Sequence, residues 1–204
     1  MLTTLTAPAF AGTWYIEDGD ITISAGESGN NVTQNENTTE NDPDTIITNR
    51  EEGASSHTVT IEAGNDKVEV TLKDVNIKAD SGSALTSKGD VTLTLKGDNH
   101  LTGGISDNGN YGLSGISSSG SLTISGGTVT ANGGSGSYRG GSGISSSDIE
   151  LSGSLELTAK AGSPNGKALS QNGIELDPNT FKEKLDPGAN IITKDADGKV
   201  TLGY

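Results

Sequence analysis

The sequence contains no cysteine, and only 3% of its 204 residues are aromatic. Without cysteine, neither disulfides nor thiol chemistry contribute to fold or function. Hydrophobic residues make up 30% of the chain, a lower share than a compact globular core usually needs. Two classes tolerate this shortage. One is disorder, and the other is a repeat fold, whose narrow core needs only one or two aliphatic residues per strand.

Basic residues are scarce as well. The chain carries 13 Lys and Arg against 27 Asp and Glu, a formal net charge of −14. Binding to polyanions needs patches rich in Lys and Arg, so the composition argues against nucleic acid and anionic lipid as partners. The sequence also lacks any run of about 18 apolar residues, so we predict no membrane insertion.

The N-terminal segment is typical of an exported protein. Leu2–Ala11 reads LTTLTAPAFA, and Ala9-Phe10-Ala11 has the small-x-small pattern that precedes a signal-peptidase cut. The basic and long apolar parts of a complete signal are missing. We therefore predict that residues 1–11 are the remnant of an export signal or a disordered tail, and that the protein is extracellular or at the cell surface.

The middle of the chain repeats one pattern, an alternating strand, a short polar or glycine break and a second alternating strand. Four segments share it: Val68–Lys78, Asp90–Gly103, Ser121–Gly133 and Asp148–Lys160. A third element precedes each new repeat, at Ser83–Gly89, Gly112–Gly120, Ser142–Ser147 and Lys167–Gly173. Three short strands in each repeat of roughly 22 to 31 residues are the signature of a parallel β-solenoid.

The predicted fold is therefore all-β, a right-handed parallel β-helix of about five to six coils with short N- and C-terminal caps. The β-helix covers residues 58–176. Alternation along the strands makes one set of aliphatic residues inward-facing: Leu72, Val75, Ile77, Leu93, Leu95, Leu101, Leu122, Ile124, Val129, Leu151, Leu155 and Leu157.

The flanking segments are predicted to cap the two ends. In the N-terminal cap, residues 12–57, Trp14–Ala25 suggests a strand pair around the Asp18-Gly19 turn, with Trp14 and Tyr15 as a lid, and Asn30–Asp44 reads as a long polar loop. In the C-terminal cap, residues 177–204, Asn179–Leu185 fits a short capped helix. A hairpin is expected around Asp195–Gly198.

The repeats resemble a known family. VEVTLKDVNIKA (residues 68–79), DVTLTLKGDNHLTGG (90–104) and GISSSGSLTISGGTVTANGG (115–134) are similar to clostridial extracellular carbohydrate-binding domain proteins, whose fold is like that of pectate lyases. The resemblance covers roughly residues 58–176. It implies a β-helix that binds plant or microbial polysaccharide, often with calcium, without cleaving it.

The candidate binding residues are Tyr111, Tyr138 and Arg139. Sugar recognition uses aromatic faces against the apolar face of a pyranose together with hydrogen-bonding side chains. Tyr111 lies in one long inter-strand loop, and Tyr138 and Arg139 lie in the glycine-rich loop of the next repeat, so the two loops are expected to project from one side. The alternative is that each tyrosine covers a corner of the coil.

Calcium is the one cofactor that the residues suggest. Asp195-x-Asp197-Gly198 offers hard oxygen ligands at a suitable spacing, although the rest of an EF-hand loop is missing and DxDG is also an ordinary turn. Asp18 and Asp20 are a second candidate pair. The two histidines, His57 and His100, lack metal-ligand spacing, so we assign them no function.

The sequence is not expected to be an enzyme. Lyases of this shape use an Arg or Lys base beside calcium-binding carboxylates, and the only arginines, Arg50 and Arg139, fall in predicted loops. The expected function is non-catalytic binding of polysaccharide or cell-wall glycan by a monomer. The alternative is a structural or adhesive surface stalk that binds a host or cell partner through one face. A polysaccharide lyase and an ice-binding solenoid are less favoured. Ice binding needs a regular threonine array, which is interrupted here by Lys73, Lys96, Glu150 and Glu156.

Overall fold

The computed structural model describes residues 11–203, so the expected export-signal remnant lies outside it except for Ala11. The described chain is all-β with mostly parallel pairing, which confirms the fold class at that level. Its helices are two 3-10 segments, Ile16–Asp18 and Pro178–Lys184. Between residues 11 and 203, no helix is long and apolar enough to cross a membrane.

The strands follow the predicted repeats closely. In chain order they are β1 (Thr13–Tyr15), β2 (Ile21–Ala25), β3 (Asn30–Gln34), β4 (Asn37–Asp42), β5 (Ile46–Thr48), β6 (Val59–Lys73), β7 (Asn76–Lys78), β8 (Leu85–Lys96), β9 (Asp98–Thr102), β10 (Ile116–Ser119), β11 (Ser121–Ser125), β12 (Thr128–Asn132), β13 (Ile144–Ser146), β14 (Asp148–Ser152), β15 (Glu156–Lys160), β16 (Leu169–Gln171), β17 (Ile174–Glu175), β18 (Asn190–Lys194) and β19 (Val200–Gly203).

The strands form three columns in which each strand pairs in parallel with its equivalent one repeat later. The first column is β2-β6-β8-β10-β13-β16, and the second is β1-β5-β6-β8-β11-β14. The long strands β6 and β8 belong to both columns. The third column, β7-β9-β12-β15-β18, is a separate sheet. Antiparallel strand pairs lie at the ends of the described stack, in β2-β3-β4, β16-β17 and β18-β19.

The core consists of apolar ladders that run across the repeats. All twelve residues predicted to face inward are buried. In the second column, Val70, Leu93, Ile124 and Leu151 are successive register partners. Since each strand contributes two or three such residues, the low hydrophobic content is enough to fill the narrow space between the columns.

One buried polar side chain occupies a corner of the stack. Asn99 is fully buried at the start of β9. Its Oδ1 accepts the Val75 N–H at 2.9 Å, and its Nδ2 donates to the carbonyls of Lys96 and Thr128, both at 3.2 Å. The amide thus satisfies backbone groups of three successive repeats where the chain turns between columns.

The prediction of a long polar loop at residues 30–44 is wrong, because β3 and β4 form an antiparallel hairpin there. The turn residues Asn35 and Glu36 have φ values of 53° and 64°, the left-handed conformation of a two-residue hairpin turn. The hairpin is held by buried polar groups. Asp42 Oδ2 accepts the Thr45 hydroxyl at 2.7 Å, and Asn30 Nδ2 donates to the same hydroxyl at 3.0 Å.

The expected strand pair around Asp18-Gly19 is also wrong in its pairing. β1 and β2 are separated by the 3-10 turn and do not pair with each other. Instead β1 pairs in parallel with β5, while β2 pairs in parallel with β6. Both strands therefore follow the parallel columns rather than a local hairpin.

The C-terminal segment has the predicted elements. Asp177 caps the 3-10 helix through its Oδ1, which accepts the Asn179 N–H at 2.9 Å. β18 and β19 form the hairpin around Asp195–Gly198, and β18 adds the last strand to the third column.

Candidate functional site

Three successive loops lie against one another where the third column returns to the first. They comprise residues 103–115, 133–143 and 161–168 and are called the loop stack below. Each loop follows a strand of the third column, β9, β12 or β15. Backbone hydrogen bonds join each loop to the next, as from Gly134 N to Leu113 O and from Gly162 N to Gly141 O, both 2.8 Å.

Glycine is required because the loops pack backbone against backbone. A Cβ atom on Gly112 would lie 1.8 Å from the Gly134 carbonyl oxygen, and one on Gly162 would lie 1.9 Å from it. Any side chain at these positions would push the loops apart. The glycine-rich segments therefore set the close spacing of the loop stack and fix what the loops carry.

The loop stack brings the three sequence-predicted binding residues together. The rings of Tyr111 and Tyr138 lie edge to face, with centroids 5.6 Å apart and an interplanar angle of 71°. Tyr111 is also the bridge partner of Arg139, whose carbonyl accepts the Gly112 N–H at 2.8 Å. The rings remain open to solvent, since Tyr111 is 45% and Tyr138 is 70% exposed. We call these three residues the aromatic patch.

Asn110 joins the two loops that carry the aromatic patch. Its carbonyl accepts the N–H groups of Tyr138 at 2.8 Å and of Arg139 at 3.0 Å. Its side-chain Oδ1 accepts the Ser137 hydroxyl at 3.0 Å. This role was not predicted from the sequence, although Asn in a glycine-rich loop is a signal for a turn.

Ser106 and Asn108 hold the other side of the Tyr111 loop. The Ser106 hydroxyl accepts the Tyr111 N–H at 3.0 Å and donates to Asn108 Oδ1 at 2.8 Å. The Ser106 N–H donates to the Tyr111 carbonyl at 2.8 Å. These short-range bonds close a compact loop and present Tyr111 at its edge.

Arg50 lies apart from the aromatic patch and is tied to the N-terminal turn. Its guanidinium forms a two-pronged ion pair with Asp18, with N–O distances of 2.9 and 3.1 Å, and stacks 4.2 Å from the centre of the Tyr15 ring. Its hydrogen bond holds the pKa of Asp18 below the ordinary value. Trp14, half-buried, packs against the core, which agrees with the predicted lid.

The candidate calcium ligands already have protein partners. Asp195 Oδ1 accepts the N–H groups of Asp197 and Lys199 at 3.0 and 2.9 Å, which closes the hairpin turn. Asp20 Oδ1 accepts the Thr58 N–H at 2.8 Å. In residues 11–203, no group of three or more His, Cys, Asp or Glu side chains is arranged to hold a metal ion. A calcium site at Asp195 and Asp197 stays a prediction.

The threonine surfaces are interrupted by charge where the sequence indicated. Thr92, Thr123 and Glu150 are register partners in the second column. In the third column, Thr128 stacks on Glu156. The carboxylates break both rows of hydroxyls, which disfavours the regular array that ice binding needs.

Comparisons with protein-family models, curated proteins and solved structures give no match for this chain. The residues and geometry of the loop stack are therefore the basis for assigning a function.

Proposed function

We propose that this chain is a secreted or cell-surface protein that binds polysaccharide, without cleaving it, through the aromatic patch on a right-handed parallel β-helix. The observation that carries the proposal is the exposed edge-to-face pair of Tyr111 and Tyr138 beside Arg139. The resemblance of residues 58–176 to clostridial carbohydrate-binding domains agrees with it.

The three parallel columns support the β-helix. Each strand is followed by a strand in the next column and pairs with the equivalent strand one repeat later. Crossovers between parallel strands are right-handed in nearly all proteins.

A solenoid tolerates the loss of one complete repeat, whereas a globular core does not. Deletion of Ser121–Ser147 would join Gly120 to Asp148, the register partner of Ser121. We expect this variant to fold cooperatively with an all-β circular dichroism spectrum; an unfolded product would contradict the β-helix.

The aromatic patch has the chemistry of a sugar platform. One tyrosine ring presents a face to a pyranose while the second, nearly perpendicular, forms a wall at its edge. Arg139 adds up to five N–H donors for ring hydroxyls. The hydrogen bonds of Asn110 and Ser106 fix the loops beforehand, so binding loses little conformational freedom.

We propose that the protein does not cleave polysaccharide because neither arginine is placed to act as a catalytic base. Arg50 is engaged by Asp18 and stacked on Tyr15, so it is not available as a base. Arg139 forms no ion pair with a carboxylate in the part of the chain that the structure describes, so it does not lie in the acidic setting that lyase chemistry uses.

Binding to insoluble and soluble polysaccharides tests the proposal. Purified protein should be retained by at least one neutral glucan or acidic plant polysaccharide, with no shortening of the chains and no unsaturated products. Retention on polygalacturonate that falls with a chelator would indicate bridging calcium, since the protein and that ligand are both anionic. Product formation would contradict the non-catalytic function. Lack of retention on every polysaccharide would contradict binding and favour the adhesive stalk.

A further inference from the structure

A second feature of the loop stack is a small polar cavity on its first-column side. The cavity has a volume of about 230 Å³. Two basic residues and four serines are prominent among its lining residues: Arg139, Lys167, Ser114, Ser142, Ser145 and Ser170. Two cations around one small cavity are unexpected in a chain with a net charge of −14. We call this space the serine cavity.

Hydrogen bonds between loops bring the two cations to the same cavity. Gly140 N donates to the Pro164 carbonyl at 2.6 Å, and Gly143 N donates to the Lys167 carbonyl at 3.3 Å. The loop that carries Arg139 is thus joined to the loop that carries Lys167. Neither side chain forms an ion pair within residues 11–203.

The serines add hydroxyl donors from a rigid part of the fold. Ser145 and Ser170 are register partners in β13 and β16, so their side chains stand one strand apart on the outer face of the first column. Ser142 comes from the loop that precedes β13, and its N–H donates to the Ser114 hydroxyl at 3.3 Å. The hydroxyls of Ser142, Ser145 and Ser170 donate to no acceptor within the described chain.

Glu175 is a carboxylate that competes for the charge of Lys167. It is the register partner of Ser170 in β17, and its Oε1 accepts the Leu169 N–H at 3.3 Å. It lines a neighbouring cavity that also contains Lys167. Lys167 is therefore shared between Glu175 and the serine cavity, while Arg139 is not.

We propose that the serine cavity binds a single oxyanion, such as a sulfate or carboxylate group, between Arg139 and Lys167 with the serine hydroxyls as further donors. Charge-assisted hydrogen bonds to such groups are short and strong, and hydroxyl donors complete the coordination of the remaining oxygens. Because Arg139 also belongs to the aromatic patch, the oxyanion can be free or a substituent on a sugar held by the tyrosines. The second case depends on the proposed function, and the first does not.

Nuclear magnetic resonance titration of the full chain with sodium sulfate, against sodium chloride at equal ionic strength, tests the proposal. We expect saturable shifts at the backbone amides of Ser142, Ser145, Lys167 and Ser170. Lys167→Gln or Arg139→Gln should weaken sulfate binding by about tenfold, the scale of one charge-assisted hydrogen bond. Lys78→Gln, which removes an equal charge from an exposed residue of β7, should change the affinity for sulfate by less than about twofold. Glu175→Gln should strengthen binding, because it removes the competitor for Lys167.

The outcomes separate this inference from the proposed function. Non-saturable shifts, or equal effects of Lys167→Gln and Lys78→Gln, would contradict the serine cavity even if polysaccharide still binds at the tyrosines. Acetate and glucuronate, with glucose as the neutral control, distinguish the two sources. If glucuronate binds more tightly than acetate, the ligand of the serine cavity is an anionic group on a sugar. Equal affinity, with glucose inert, indicates a site for the free oxyanion.

Discussion

Leu93 and Ile124 are register partners in adjacent parallel strands, and both side chains are completely buried. The strand of Leu93 continues with Thr94, which is exposed on the opposite face. This alternation gives a direct test of the inward register.

Leu93→Asp is expected to unfold the protein, because it places an unpaired carboxylate in the apolar ladder between Val70 and Ile124. We expect a loss of about 4 kcal/mol or more in the free energy of unfolding, measured by urea denaturation. The matched variant Thr94→Asp should change it by about 0.5 kcal/mol. Equal losses for the two variants would show that the register is wrong.

Asn99→Ala is expected to destabilise the fold by about 1–3 kcal/mol, since the buried Val75 N–H loses its acceptor and two carbonyls lose a donor. Asn190→Ala, at an exposed position of β18, three strands beyond β9 in the third column, should cost about 0.5 kcal/mol or less. Urea denaturation of both variants measures the difference. An Asn99→Ala protein as stable as wild type would contradict the role of the buried amide.

Gly112→Ala is expected to disrupt the loop stack, because its Cβ would overlap the Gly134 carbonyl. The loops must separate, so we expect a loss of about 1–3 kcal/mol and a change in the tyrosine ring resonances. Gly53→Ala is the control, since nothing lies within 4 Å of its Cβ position. Unchanged tyrosine resonances in Gly112→Ala would argue against close stacking of the loops.

Arg50→Gln is expected to raise the pKa of Asp18 towards its ordinary value of 3.8, because the hydrogen bond from Arg50 is the main cause of its lowering. A carboxyl whose pKa is lowered in the folded state stabilises the fold above the unfolded pKa, and this contribution is lost as the pH falls through the folded pKa. The free energy of unfolding should therefore fall less steeply with decreasing pH in the variant than in the wild type.

Carboxyl resonances measured against pH check this expectation. The pKa of Asp177, lowered by the Asn179 N–H, is the internal control and should not move in Arg50→Gln. An Asp18 titration identical in both proteins would contradict the ion pair.

The sequence was sufficient for the strands and the core because aliphatic residues alternate with Thr, Ser, Glu and Lys along each repeat. The hairpin at residues 30–44 was not predicted, because Val32 is its one aliphatic residue and buried Asn30 and Asp42 supply hydrogen bonds instead. A strand that is held at a sheet edge by polar side chains lacks the alternating hydrophobic pattern from which strands are predicted.

The aromatic patch was predictable in part. Tyr111, Tyr138 and Arg139 stand out as large side chains in glycine-rich loops. Tyr111 and Arg139 occupy equivalent positions in successive repeats, which also brings the neighbouring Tyr138 against Tyr111. The serine cavity was not predicted, because Lys167 joins Arg139 only through the packing of loop backbones, which depends on three-dimensional spacing.

The most direct test of polysaccharide binding at the aromatic patch compares a neutral glucan's affinity for wild type and for the double variant Tyr111→Ala/Tyr138→Ala. Loss of two stacking rings, each contributing about 0.5–1.5 kcal/mol, predicts binding weaker by about tenfold with an unchanged unfolding temperature. Val200→Ala, which truncates an exposed apolar residue of the C-terminal hairpin, should bind as wild type does. A double variant that binds within about twofold of wild type would contradict the account.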